Sequence, residues 1–238
     1  MFAPLDLSEA KQIEQSIPTI IVPFREQIEQ KRGEQLKRFL SHIDRYHSDW
    51  KVIVVEQSDD NRKFNRGALL NIGTLLAEKD GSHHIIFHDV DLLPLMKIVP
   101  YYTAFPKSPI HIAKVWTSKY DSPNFLGGVL SMSLEDIRKT NGFPNNFWGW
   151  GGEDDAIRTR IKNKHLTVYQ PTLRGEGYKE LQHVDTRTKQ EWKNMTKWED
   201  MEHEKKHPGK TGIKNVKFDI LDEIDITKNI KKITVEIK

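Results

Sequence analysis

The sequence predicts an α/β fold, a mostly parallel sheet covered by helices on both faces, and three observations carry that prediction. Short, almost wholly apolar runs recur at Thr19-Ile20-Ile21-Val22, Val52-Ile53-Val54-Val55 and His84-Ile85-Ile86-Phe87. They lack the in-out alternation of a half-solvated strand and read as strands buried on both sides. Segments with helical spacing separate them, the alternation of a layered α/β domain. The third run passes directly into His88-Asp89-Val90-Asp91. Polar groups at a strand's carboxyl end stand where open α/β sheets collect ligands.

In chain order, Leu7 to Gln15 reads as a short polar helix with Ser8 as its cap. The first strand ends at Pro23-Phe24-Arg25. From Glu29 to Tyr46, Leu36, Phe39, Leu40, Ile43 and Tyr46 repeat at helical spacing despite Gly33. Phe64-Asn65-Arg66 opens a second helix with Leu69, Leu70, Ile72 and Leu76 on its apolar face. Ile110 to Ala113 and Val129 to Met132 read as strands, Leu134 to Thr140 and Ala156 to Lys164 as helices. Further strands are expected at Leu166 to Tyr169 and Tyr178 to His183. Trp192 to Lys206 is strongly polar, either a helix or a mobile segment. Val216 to Ile220 and Ile233 to Ile237 alternate with period two and suggest two half-buried strands. No repeat or linker interrupts the 238 residues, so one domain is expected.

Composition narrows the function classes. The chain has no Cys, which removes disulfides, thiolate nucleophiles and cysteine-based zinc sites and fits a reducing compartment. Lys plus Arg exceed Asp plus Glu by 37 − 34 = 3, compatible with an anionic ligand and far from a nucleic-acid signature. No apolar run approaches the ~20 residues of a membrane span, and Met1 to Ser16 lacks the pattern of a secretory signal.

The stretch from Asn141 to Asp155 combines turn formers, aromatics, glycines and the consecutive carboxylates Glu153-Asp154-Asp155 before a helix. Aromatics beside glycines suit a surface on which a flat ligand stacks and the backbone comes close. Acidic residues are also favoured at any helix start, so the carboxylates alone do not prove catalysis. In extended geometry Asp89 and Asp91 share one face, and two hard oxygen donors there suit a divalent cation bridging a diphosphate. An isolated pair of this kind is usually a solvated turn. His183-Val184-Asp185 repeats the spacing and, added to Asp91, makes a mixed nitrogen and oxygen set suited to Mn²⁺; a surface His beside an acid is the ordinary alternative. Arg25 and Arg66 could clamp phosphate oxygens and Phe64 could stack on a base, against simple packing contacts. Phe125-Leu126-Gly127-Gly128 offers a backbone open to close approach, or a plain turn. His83-His84 and His203 to His207 look solvent-facing.

Taken together, these segments resemble the β-1,4-galactosyltransferase family, inverting metal-dependent glycosyltransferases of the GT-A fold (family 7). The matching pieces, in order, are Ile21 to Arg25, Phe64-Asn65-Arg66 with Leu70 to Gly73, His88 to Pro94, Gly127-Gly128-Val129 and Asn141 to Asp155. Gly177-Tyr178-Lys179 followed by His183 looks most like the xylosylprotein β-1,4-galactosyltransferase branch, where a His-x-His pair holds the metal; here Asp185 takes the second histidine's place.

The resemblance implies a Rossmann-like sheet with a small C-terminal β element. It implies one catalytic domain over 1–238, with a nucleotide-sugar-binding half at 18–115 and an acceptor-binding and catalytic half at 116–238. Mn²⁺ would be held by Asp91, His183 and Asp185. Pro23, Phe24, Arg25, Phe64, Arg66, Asp89, Val90, Gly128, Trp150 and Glu153 would bind the donor, UDP-galactose, with Trp150 on a loop closing over it. Asp154 would be the catalytic base, and Gly152, Asp155, Phe125 and Trp192 would meet the acceptor. Phe125 stands where the family often has a Tyr that helps choose the donor. It keeps the bulk that disfavours an N-acetyl group and loses the hydroxyl.

The expected activity is transfer of galactose to the 4-hydroxyl of a terminal xylose, glucose or N-acetylglucosamine, on a lipid-linked or polysaccharide acceptor, in a bacterial or viral cytoplasm, peripheral at most to the membrane. Two alternatives are a UDP-GalNAc or other UDP-hexose transferase making a capsule or chondroitin-like chain, and a sugar-nucleotide- or glycan-binding protein without turnover.

Overall fold

The computed structural model describes residues 1–116, 122, 124–149, 151–175, 177–182 and 197–238. Strand β1 (Phe2–Leu5) leads into α1 (Leu7–Gln12). The cap of α1 is Asp6, not Ser8: Glu9 N donates to Asp6 Oδ1 at 2.8 Å and Asp6 N to Glu9 Oε2 at 2.9 Å, a reciprocal capping box. The Ser8 hydroxyl instead donates to Asp6 Oδ1. Then follow β2 (Thr19–Phe24), α2 (Arg32–Tyr46), β3 (Lys51–Gln57), α3 (Arg66–Lys79) and β4 (His84–His88). After them come β5 (Leu92–Pro94), α4 (Val99–Thr103), β6 (Val129–Ser133), α5 (Leu134–Thr140) and α6 (Glu153–Asn163). The last elements are β7 (Val168–Pro171), β8 (Tyr178–Glu180), α7 (Lys197–Lys206) and the hairpin β9 (Phe218–Thr227) and β10 (Ile230–Ile237).

The central sheet has the order β6-β4-β2-β3-β10-β9. Strands β4, β2, β3 and β10 run parallel, and the outer β6 and β9 are antiparallel to their neighbours. Alternate side chains serve two cores, as the period of a strand requires. Ile20, Val22 and Phe24 join Val52, Val54 and Ile86 beneath α2, whose Leu36, Phe39, Leu40 and Ile43 form one stripe. Ile21, Ile53, Val55, Ile85 and Phe87 face α3, α5 and α6 through Leu69, Leu70, Ile72, Ile137 and Ile157. Burial on both faces is why these strands carry unbroken apolar runs.

Four expectations need correction. Ile110 to Ala113 is not a strand: Ile112–Val115 forms a 3₁₀ turn, and only Ile110 bridges to Ser131 and Tyr169. A short apolar run fits a buried turn as well as a strand. The strand after Gly177 ends at Glu180, and His183 lies outside the described residues. The C-terminal β element is present, but only one of its two strands is half-buried: β10 lies parallel to β3 inside the main sheet, while Asp219 to Ile226 of β9 are exposed. His84 is buried rather than solvent-facing, between the hydroxyls of Ser16 (2.5 Å) and Ser131 (2.9 Å). Among the described residues no helix is long and apolar enough to cross a membrane.

Candidate active site

The carboxyl ends of β2, β3 and β4 converge with the amino ends of α3 and α6, and Arg66 is the side chain that joins them. It occupies the first turn of α3, behind the cap Asn65, whose side chain accepts from Ala68 N at 2.9 Å. A cation there opposes the helix dipole; three carboxylates offset that cost. Arg66 Nη2 and Nε donate to Asp89 Oδ1 at 2.8 and 3.2 Å, Nη1 donates to Asp154 Oδ1 at 3.0 Å, and Glu153 Oε1 lies 3.6 Å from Nη1. Residues from the end of β4 and the start of α6 are thus gathered on one guanidinium.

One positive charge faces three negative ones in a largely buried space, and the titrations respond accordingly. Burial first, then Asp154, pushes Glu153 up to about 7 against the pull of Arg66. Burial also raises Asp154; Arg66 opposes it, and Asp89 and Asp155 add to it. Burial works against the charge of Arg66, but Asp89, Asp154 and Glu153 outweigh it and hold the guanidinium above its ordinary value. A carboxylate more basic than usual is suited to accept a proton.

The loop before α6 is set by contacts the sequence did not announce. Asn71 of α3 donates to Phe143 O and Asn145 Oδ1, both at 2.7 Å, and accepts from Phe143 N at 2.9 Å. Asn65 donates to Asn145 O at 2.7 Å, and Gly149 N donates to Phe64 O at 2.8 Å. Gly152, the residue capping α6, has φ +100°, and a Cβ there would stand 2.7 Å from Phe147 Cε1; this position requires glycine. Gly127 is equally constrained by space, since a Cβ would lie 2.3 Å from Phe125 Cζ and 2.6 Å from Asp154 Oδ2. Phe125, Gly127 and Asp154 therefore form one wall.

Other expected site residues fall as follows. Asp89 and Asp91 do not share a face of an extended strand: the chain turns at Val90-Asp91, with Leu92 N directed to Asp89 O at 3.5 Å. Asp89 faces Arg66, whereas Asp91 lies 3.6 Å from Arg32 Nη1, a partner no motif marked. Pro23, Phe24 and Val90 are buried, Phe24 and Val90 in the core beneath α2. Arg25 lies over the Phe64 ring at 5.8 Å and donates to Arg62 O at 2.6 Å. Gly128 begins the turn into β6 at φ +86°. Asp155 is half exposed and meets Arg158 at 3.2 Å. Trp150, His183, Asp185 and Trp192 lie outside the described residues.

Residues that sequence reasoning missed include Arg32 and the buried pair Arg160–Glu204, whose 2.6 and 2.9 Å contacts pin α7 to α6. An open hollow lined by Glu14, Asp44, Lys51, His84 and Phe105 lies at the opposite, amino end of the strands, away from where such sheets bind ligands.

Residues 9–103 match the family model described as the N-terminal region of glycosyl transferase group 7, and residues 107–184 the one described as the N-terminal domain of galactosyltransferase. The chain is 38% identical over 170 residues to human beta-1,4-galactosyltransferase 7, covering 69% of this chain and 50% of that protein. It is 34% identical over 207 residues to the Drosophila melanogaster enzyme of the same name, covering 85% and 62%. The chain thus spans about half the length of the curated relatives it matches. The crystal structure of the Drosophila catalytic domain with xylobiose superposes with a TM-score of 0.74 at 31% identity, over 93% of this chain and 94% of that one. A variant of that enzyme, crystallised with manganese, UDP-Gal and xylobiose, matches equally well. The chain belongs to the β-1,4-galactosyltransferase family of glycosyltransferases and has the GT-A fold.

Proposed function

We propose that the chain moves galactose from UDP-galactose to the 4-hydroxyl of a terminal sugar, xylose foremost, in one inverting displacement with Asp154 as base. The observation that carries this reading is the cluster on Arg66. It presents Asp154, more basic than an ordinary aspartate, beside Phe125 and Gly127 at the carboxyl end of the sheet. A relative of the same fold has been crystallised with manganese, UDP-Gal and xylobiose.

Asp154 takes the proton of the acceptor hydroxyl as its oxygen bonds to the anomeric carbon. The bond from that carbon to the diphosphate breaks on the opposite face, and the diphosphate leaves with the electron pair. Arg66 keeps Asp154 oriented, and Glu153, pushed up to about 7 by burial, is in part protonated near neutrality and in that form can donate to a sugar hydroxyl. Half-exposed Asp155 faces the acceptor side, and Arg25 and Phe64 line the uridine diphosphate. The half 18–115 supplies most of the nucleotide-sugar contacts, and the half 116–238 supplies the base, the acceptor contacts and the remaining donor contacts.

Among the described residues no three His, Asp or Glu side chains gather as a metal cage. The donor chemistry fits Mn²⁺ at Asp91, where Leu181 N donates to Asp91 O at 2.8 Å and lays the end of β8 alongside, two residues before His183. Asp91, His183 and Asp185 would hold the ion, which when bound neutralises the leaving diphosphate. Trp150 and Trp192 are assigned to the donor lid and the acceptor. A cytoplasmic setting rests on the cysteine-free composition alone.

Asp154→Asn is expected to lower kcat by about 10²- to 10⁴-fold while Mn²⁺–UDP still binds. Near-wild-type UDP release with a xyloside acceptor would refute the base assignment. A panel of UDP-galactose, UDP-GalNAc and UDP-glucose against xylose, glucose and N-acetylglucosamine acceptors, free, lipid-linked or polysaccharide, decides the substrates. No turnover with any of them would leave the sugar-nucleotide-binding reading.

A further inference from the structure

A buried chain of polar side chains runs beneath the proposed metal site. His88, the last residue of β4, is wholly buried, with its ring tilted against Phe39 at 5.0 Å. Its Nδ1 lies 2.8 Å from the Asp89 carbonyl oxygen. A carbonyl only accepts, so Nδ1 carries the proton. Burial drives the imidazole down to about 4, so the ring is neutral and Nε2 accepts from the Tyr102 hydroxyl at 2.8 Å. The Tyr102 and Tyr178 oxygens are 3.1 Å apart. With the Tyr102 proton committed to His88, Tyr178 supplies the proton of that contact.

The two ends of this chain meet the two sides of the site. Asp89 O, which His88 grips, is also the oxygen approached by Leu92 N, so it fixes the turn that sends Asp91 toward Arg32. Tyr178 opens β8, which pairs with β5 through Pro94↔Tyr178 and Leu92↔Glu180 and then donates from Leu181 N to Asp91 O. Three phenyl rings would fill the same volume with no polar group to satisfy. A buried network with every member paired fixes one geometry instead.

We propose that His88 is a positioning residue: through Tyr102 and Tyr178 it locks the Asp89–Asp91 turn to β8, holding Asp91 in one arrangement for a divalent cation. This rests on the metal-dependent galactosyl transfer proposed above. The test is Mn²⁺ affinity in the presence of UDP, read from the electron paramagnetic resonance signal of free Mn²⁺, for the wild type, His88→Phe, His88→Asn and Tyr102→Phe, each with its thermal midpoint.

His88→Phe keeps the ring and removes both hydrogen bonds; it should weaken Mn²⁺ about 10- to 100-fold, the range for outer partners of metal ligands. His88→Asn restores a donor near Nδ1 and should recover most of that loss. Tyr102→Phe should fall between them, and acceptor KM at saturating Mn²⁺ should not move. A folded His88→Phe protein with wild-type affinity overturns the proposal, since a packing role would move the thermal midpoint alone. Where His88→Phe does not fold, Tyr102→Phe decides, and wild-type affinity there overturns it equally. A wild type that binds no Mn²⁺ with UDP sinks the functional reading and this inference together, whereas normal wild-type binding with unaffected variants sinks the inference only.

Discussion

Arg66 shows how much one side chain decides. Its three carboxylate partners come from β4's end and α6's start, and the excess negative charge they leave is what displaces Glu153. A carboxyl moved from 4.5 to about 7 contributes stability fully present below about pH 4.5, and that contribution is lost as pH rises through 7. At ~1.4 kcal/mol per unit the effect is on the order of 3 kcal/mol. His84, His88 and His111, pushed by burial down to about 3, 4 and 4, act with the opposite sign. Their contribution is present above 6.5 and is lost as pH falls toward 4. Comparing Glu153→Gln with the wild type cancels the histidines. Denaturant midpoints from pH 5 to 8 should show the Gln variant gaining on the wild type by roughly 1–3 kcal/mol as pH rises. A gap that stays constant over that span would mean Glu153 is not held protonated.

At the scale of elements, location was legible in the sequence and geometry was not. The Leu134–Thr140 helix was readable to the residue, because Ser133 caps it locally by accepting from Asp136 N at 3.1 Å. Asp89-Val90-Asp91 was readable as a strand's end, yet its turn is shaped by Arg66, Arg32 and His88, none of which the short motif encodes. The grip of α7 on α6 was illegible for the same reason. Arg160 and Glu204 are 44 residues apart, and their side chains are 2% and 3% exposed. Arg160 also donates to Asn141 O and Gly142 O at 3.2 and 2.8 Å, and Glu204 accepts from Gly209 N at 3.0 Å. Glu204→Ala strands a buried guanidinium and should cost about 3–5 kcal/mol in chemical denaturation. Joining it to Arg160→Met should recover only part, because the buried Gly142 carbonyl then loses its donor at about 1–3 kcal/mol, whereas Asn141 O keeps Ile213 N at 3.0 Å. Full recovery in the double variant would show that the Gly142 carbonyl contact contributes nothing.

Over the whole molecule, the tail completes the sheet that presents the site. Strand β10 pairs with β3 from Ile230↔Val52 to Val235↔Gln57, and Ile230, Ile233, Val235 and Ile237 are all 3% exposed or less. Arg62 Nη2 donates to Ile237 O at 2.5 Å, tying the strand's end to the loop before α3. At about 1.5–3 kcal/mol for each fully buried aliphatic side chain, these four contribute roughly as much as the ~5–15 kcal/mol by which a domain is stable at all. The outer strand β9 buries almost nothing: Ile220, Ile224 and Ile226 are exposed, among Asp219, Asp222, Glu223 and Asp225. Ending the chain at Asn215 should therefore abolish the cooperative transition and the near-ultraviolet circular dichroism. Ile224→Lys, on the outer strand, should change stability by no more than about 0.5 kcal/mol. A truncated protein that still melts cooperatively would show that β10 is an accessory edge and that β4, β2 and β3 hold the site without it.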